Sequence, residues 1–191
     1  MKKLLKFIIF VILIIAFVYF GTKKYPVKHK DIENEKNASS ILLNGDYVFN
    51  DINHSKVLNK LSSKNDSIIY VCIDGNKLCT KYGLLIDEVA KSFSIDTIYY
   101  YDIKEDRENN NGTYQKIVNK LSDYVIIDDL GEQNLYAPTL IFVKKGMVYS
   151  FDDSLSINHG KLDVDKVWDE ETIESKKNYL IETMEGFINN E

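Results

Sequence analysis

The stretch YAPTLIFVKKGMVYSF, residues 136–151, reads as two strands folded back on each other. Thr139 to Val143 is a nearly unbroken apolar run, Met147 to Phe151 is a second segment rich in strand formers, and Lys144 to Gly146 make the turn between them. Pro138 stands at the start of the first strand, where a residue without an N–H does least harm to a ladder.

The elements upstream follow from hydrophobic spacing. SIIYVCI, 67–73, is an apolar strand of the kind buried on both faces, Tyr47 to Phe49 is a short strand, and DTIYYYDI, 96–103, is another. The tyrosines 99–101 alternate faces in that strand and are expected to serve core and cross-strand packing. Helical spacing predicts Asn53 to Leu61, Cys79 to Phe93, Tyr114 to Leu121 and, after the hairpin, about Asp169 to Ile188. The apolar stripe of the second of these is Tyr82, Leu85, Ile86, Val89 and Phe93. KEDRENNNG, 104–112, reads as a polar loop. The order β-α-β-α-β-α-β-β-α predicts an α/β fold with a central mixed sheet flanked by helices and ended by a hairpin.

Length and charge bound the rest. The 191 residues, 45% hydrophobic, suffice for one domain with attachments. Lys2, Lys3 and Lys6 precede an apolar run from Phe7 to Phe20, and Lys23 and Lys24 follow it. As a helix, Leu4 to Phe20 spans roughly 25 Å at about 1.5 Å per residue, a little short of a ~30 Å hydrocarbon core, with flanking lysines able to snorkel. A cleaved signal peptide is the competing reading, but Ile14 and Tyr19 are poor residues for a small-x-small site. The expectation is a signal anchor over 1–22, a juxtamembrane linker over 23–45, and a domain over 46–191, single-pass in the cell membrane with the C-terminal part extracytoplasmic. Residues 31–191 carry 17 basic and 29 acidic side chains, a net −12, which argues against a nucleic-acid surface.

Other chemistry is sparse. His29, His54 and His159 are scattered among polar residues and are expected to be solvated; no spacing suggests a zinc or calcium site, and there is no phosphate-binding glycine loop. No cofactor and no metal are expected. The carboxylates of DIKEDRE, 102–108, and DLGEQN, 129–134, read as solvated loop charges.

Two stretches together resemble the thioredoxin-like superfamily over about three quarters of the chain, residues 46–190. APTLIFVKKGMVY matches its proline, Thr, strand, Lys/Gly turn and second strand; CTKYGLLIDEVAKSF resembles the helix that opens at the second cysteine of Cys-x-x-Cys. The chain is similar to membrane-anchored thioredoxin-like proteins of Gram-positive bacteria, including bacteriocin-transport accessory proteins. The resemblance implies a cis peptide at Pro138 facing the sulfurs, and a substrate groove formed by Asn76, Ala137, Pro138 and Thr139.

The active-site motif departs from that family. In one alignment Cys79 is the second cysteine and Asn76 stands in place of the first, giving Asn-Lys-Leu-Cys; in the other Cys79 is the attacking thiol, Tyr82 replaces the resolving one, and the motif is Cys-Thr-Lys-Tyr. The first requires asparagine to do what a thiolate at a helix N-terminus does, which it cannot. The acidic residue that family places beneath the second cysteine is Tyr70 here. Cys72, seven residues before Cys79, is either its disulfide partner or a buried free thiol.

Two functions remain open. One is an atypical membrane-anchored thiol-disulfide oxidoreductase using Cys79, with or without Cys72, on an exported peptide or protein thiol substrate. The other is a non-catalytic thioredoxin-fold binding or accessory module for such a peptide or for a membrane partner.

Overall fold

The computed structural model describes residues 38–127, 131–156 and 164–189. The expected signal anchor over 1–22 lies outside them; among the described residues no helix is long and apolar enough to cross a membrane.

The elements, in chain order, are α1 (Ala38–Leu42), β1 (Phe49–Asp51), α2 (His54–Ser62), β2 (Ser67–Cys72), α3 (Lys77–Ser92), β3 (Ile98–Asp102), α4 (Lys104–Glu108), α5 (Gly112–Lys120), β4 (Ile126–Ile127), β5 (Gln133–Asn134), β6 (Thr139–Lys144), β7 (Met147–Asp152), α6 (Val164–Val167) and α7 (Glu170–Asn189). Five strands form one sheet in the order β1-β3-β2-β6-β7, and β4 and β5 form a small separate hairpin. β1 and β2 run parallel to β3, whereas β6 runs antiparallel to both β2 and β7. Strand order, hairpin and flanking helices make this the mixed α/β, thioredoxin-like arrangement that the sequence implies.

β2 is buried along its whole length, which explains its lack of polar alternation. Its side chains still take alternate sides. Ile68, Tyr70 and Cys72 join Leu140 and Phe142 in a core covered by α1, α3 and α7. Ile69 and Val71 join Ile141 and Val143 in a second core covered by α2 and α5. Of the three tyrosines of β3, Tyr100 and Tyr101 are fully buried, as packing residues should be, and Tyr99 lies under Lys60 Nζ, 4.0 Å from its ring centre.

Three helices begin at an asparagine whose side chain accepts from the first-turn N–H groups: Asn53 for α2, Asn76 for α3 and Asn111 for α5. That pattern sets the true helix starts a little upstream of the apolar stripes.

Several expectations are corrected. The short strand expected at 47–49 forms at Phe49–Asp51, because the register with β3 pairs Phe49 with Ile98 and Asp51 with Tyr100. The expected polar loop after β3 contains α4, which buries no side chain and so leaves no apolar period to read. The hairpin β4–β5 lies where only loop carboxylates were expected. The stretch 38–42, placed in the linker on its polarity, forms α1 and packs against α3, with Leu42 fully buried. Gly83 permits that approach: a Cβ there would stand 2.6 Å from Leu42 Cδ1.

At the C-terminal end of β7 a buried ion pair ties the sheet to α3 and α7, two of the three helices that cover the first core. Lys176 Nζ donates to both oxygens of Asp152 at 2.7 Å, Tyr82 Oη donates to Asp152 Oδ2 at 2.6 Å, and Ser154 Oγ donates to Asp152 Oδ1 at 2.6 Å. Burial alone would raise the Asp152 carboxyl, but the charge of Lys176 and these three donors outweigh it and hold it below the ordinary carboxylate value.

Candidate functional site

The site candidates gather where β2 ends and α3 begins. After Cys72 the chain turns through Gly75, whose φ of +84° suits glycine, with Asn76 N–H donating to the Ile73 carbonyl at 3.1 Å. Asn76 then caps α3. Its Oδ1 accepts from Leu78 N at 2.9 Å and from Cys79 N at 3.2 Å. Asn76 is half-buried, whereas Cys79 in the first turn is fully buried. Asn76→Ala is expected to cost about 1 kcal/mol through the lost cap. Thermal unfolding followed by far-UV circular dichroism should show this as a Tm lower by a few degrees, and an unchanged Tm would mean that the cap is not holding the helix start.

Cys72 and Cys79 are both free and both fully buried. Burial pushes the Cys72 thiol well up, and the closeness of the Cys79 thiol adds to the effect; the neighbouring Tyr70 hydroxyl opposes it. Tyr70, at the position where an acidic residue was sought, donates its hydroxyl to the Cys79 carbonyl at 2.7 Å. Burial first, and the two cysteines second, push that hydroxyl far above its ordinary value, so it acts as a neutral donor. The three groups form a water-excluded cluster in which the Tyr70 hydroxyl and the Cys72 thiol are held protonated.

The cis-proline loop stands alongside. The Ala137–Pro138 peptide is cis, as the resemblance implies. Val71 and Thr139 are the last register pair of β2 and β6, so Cys72 and Pro138 are the residues that follow on the two strands. Thr139 is fully buried and donates through Oγ1 to the Tyr136 carbonyl at 2.8 Å; Pro138 is buried and Ala137 half-buried. The fold thus brings Cys72, Cys79, Asn76 and the 137–139 loop to one end of the sheet. Of these, Asn76 and Ala137 keep some surface and the sulfurs keep none.

A second polar cluster has no counterpart in the sequence reading. His54 Nδ1 lies 2.9 Å from Asp106 Oδ1, and Tyr101 Oη donates to Asp106 Oδ2 at 2.7 Å, with Asn111 Nδ2 donating to the same carboxylate. His54 was expected to be solvated and Asp106 to be a loop charge. Their contact spans 52 residues of chain, and neither residue sits in a local pattern that announces it.

Thiol-disulfide exchange needs an exposed thiolate to attack and a second thiol to resolve. This end of the sheet offers a half-buried amide at the helix start and two buried thiols, one of them held protonated. Binding against Asn76 and Ala137 is available; attack by sulfur on an external disulfide is not, in this conformation.

No protein-family model and no curated protein sequence matches the chain. Among solved structures it is similar to thioredoxin O2 from Arabidopsis thaliana in the oxidised state, at 18% identity and a TM-score of 0.37, covering 68% of this chain and 94% of that one. It is also similar to a designed protein, at 16% identity and a TM-score of 0.33, covering 65% and 93% of the two chains. Thioredoxin F from spinach chloroplast, in its long form, follows at 14% identity and a TM-score of 0.34, with 68% and 86% covered. Likenesses so distant say nothing of activity, and the chain's thioredoxin-like fold stands on its own strand order.

Proposed function

We propose that this protein is a membrane-tethered, extracytoplasmic thioredoxin-fold accessory module that binds an extended polypeptide beside Pro138 and does not perform dithiol exchange. The observation that carries the reading is the substitution of function at the start of α3: Asn76 occupies the half-buried capping position, which keeps some surface, and both cysteines are fully buried. That geometry fits the alignment in which Asn76 stands for the attacking cysteine. The tether rests on the apolar run between the lysines at 2–6 and 23–24, and the polypeptide partner on the half-buried groove residues Asn76 and Ala137.

One observation favours the competing reading, an oxidoreductase using Cys79 with Cys72. The Cys79 thiol is close enough to Cys72 to bear on its charge, so opening of the α3 start would present two neighbouring free thiols.

Thiol reactivity separates the two. With the reduced full chain in detergent, both cysteines are expected to resist iodoacetamide until urea unfolds the domain, and insulin-disulfide reduction is expected to stay at the background of the reductant alone. Alkylation of Cys79 in the native state, or turnover above background, would overturn the non-catalytic reading. Asn76→Cys makes the complementary test. It restores Cys-x-x-Cys around Cys79 and is expected to give a disulfide reducible by dithiothreitol, together with measurable insulin reduction. If it stays inert, Asn76 does not occupy the attacking position.

A further inference from the structure

A cleft of about 650 Å³ opens between α5 and the β4–β5 hairpin. Five of its lining residues carry side-chain amides: Asn110, Gln115 and Asn119 on the helical side, Gln133 and Asn134 on the strand side. Gln115 and Asn119 are one helical turn apart and so share a face. The two charged residues of the lining, Arg107 and Glu132, are of opposite sign, which gives no preference for an anion or a cation. The apolar lining is small, chiefly Val118 and Ile127. Tyr114 stands on the helical wall, nine-tenths buried or more, its hydroxyl near the Leu135 backbone but without a hydrogen-bond partner of good geometry among the described residues.

A carboxamide presents donors and an acceptor together. Gln115 donates one bond to Asn110, and Gln133 donates one to the Ser122 carbonyl at 3.0 Å, which does not exhaust either group. Neutral donor-acceptor residues on both walls complement a ligand that repeats one donor and one acceptor per unit, as a polypeptide main chain does at about 3.3 Å per residue when extended. A sugar would instead look for an open aromatic face. Tyr114 is buried, and the nearby Tyr136 ring is covered by the Arg107 guanidinium at 4.7 Å.

The cleft also adjoins the groove. β5 ends at Asn134, and the next residues, Leu135 and Tyr136, lead straight to the cis Ala137–Pro138 peptide. Arg107 lines the cleft and lies over the ring of Tyr136, two residues before the proline.

We propose that this cleft holds the main chain of an extended polypeptide, continuing the track that passes Pro138. The inference rests on the polypeptide-binding reading above and adds a second site to it. Recognition through main-chain groups with little apolar wall makes binding tolerant of sequence, so an unfolded, disulfide-free protein is a fair probe.

The test is hydrogen exchange of the full chain in detergent micelles with reduced, carboxymethylated α-lactalbumin as probe, and with chitotetraose as the saccharide comparison. The expected result is slowed exchange over 112–120 and 131–136 on adding the unfolded protein, with affinity reduced at least tenfold in Gln115→Ala/Asn119→Ala. Alanine keeps α5 helical, and unchanged circular dichroism of the variant would confirm that. Protection confined to residues 76–79 and 137–139, with the double variant binding normally, would overturn the cleft and leave the groove reading standing. Protection by chitotetraose alone would overturn it in favour of a saccharide site. An absence of binding and protection by the unfolded protein would overturn both the cleft and the polypeptide reading.

Discussion

Asp152→Asn is expected to lower the unfolding free energy by about 3–5 kcal/mol, the cost of leaving one member of a buried ion pair without its counter-charge. Asparagine keeps one of the two acceptor oxygens, so it can still accept from either Tyr82 or Ser154 while the charge is lost. Lys176 is the group stranded, with its side chain 13% exposed against 7% for Asp152. Urea unfolding at pH 7 should show the midpoint falling at an unchanged slope. Lys176→Met in the same chain removes the stranded charge and is expected to recover most of the loss, since replacing both members of a buried pair by groups of similar volume is often neutral. A loss below about 1 kcal/mol for Asp152→Asn alone would put the pair in the class of solvated surface bridges.

The same pair sets a pH dependence. The Asp152 carboxyl is held below its ordinary value in the folded chain, so its contribution is complete above the unfolded carboxylate pKa of about 3.9 and fades as pH falls through the lower folded value. The stability gap between the natural chain and Asp152→Asn is therefore expected to be flat from neutral pH to about 5 and to close below about 4. A gap that persists unchanged at pH 2 would mean that the variant's defect is one of packing.

Leu42→Ala is expected to cost about 2–5 kcal/mol, the range for emptying a buried leucine site. Leu42 is fully buried in the core with Tyr70, Cys79 and Tyr82, and it packs where Gly83 leaves room. A fragment starting at residue 46 lacks α1 altogether and should be destabilised at least as much. Equilibrium unfolding of the fragments from residues 35 and 46 measures this directly. Equal stabilities would show that α1 rests on the domain without supporting it.

That prediction also marks where the sequence stopped being legible. The 136–151 hairpin and the long helix α3 were readable because each buries a continuous run or stripe, and burial of one face is what writes a period into a sequence. α1 is five residues of mixed polarity, and of its described side chains Leu42 is the deeply buried one, too little to form a period. α4 buries none. The strands β4 and β5 have two residues each, fewer than alternation needs to become visible, so the cleft they border could not be foreseen. At the site itself, the family pattern located Cys79, Asn76 and Pro138. The burial of both thiols and the bond from Tyr70 to the Cys79 carbonyl depend on packing between β2, α3 and their covering elements, which no local spacing records. His54 and Asp106 illustrate the same limit: their pairing is a product of topology.

β2 occupies the middle of the sheet yet is made early, and its two neighbours come later: β3 after the whole of α3, and β6 only at Thr139–Lys144. Closing such pairings costs loop entropy before any ladder repays it, which places this domain among slow, non-local folders. While the chain grows from the ribosome, SIIYVC remains an apolar strand with one unpaired edge until residue 144 is free. The vulnerable species is thus the nearly finished chain, and any truncation that removes β6 is expected to aggregate even though most of the helices are present.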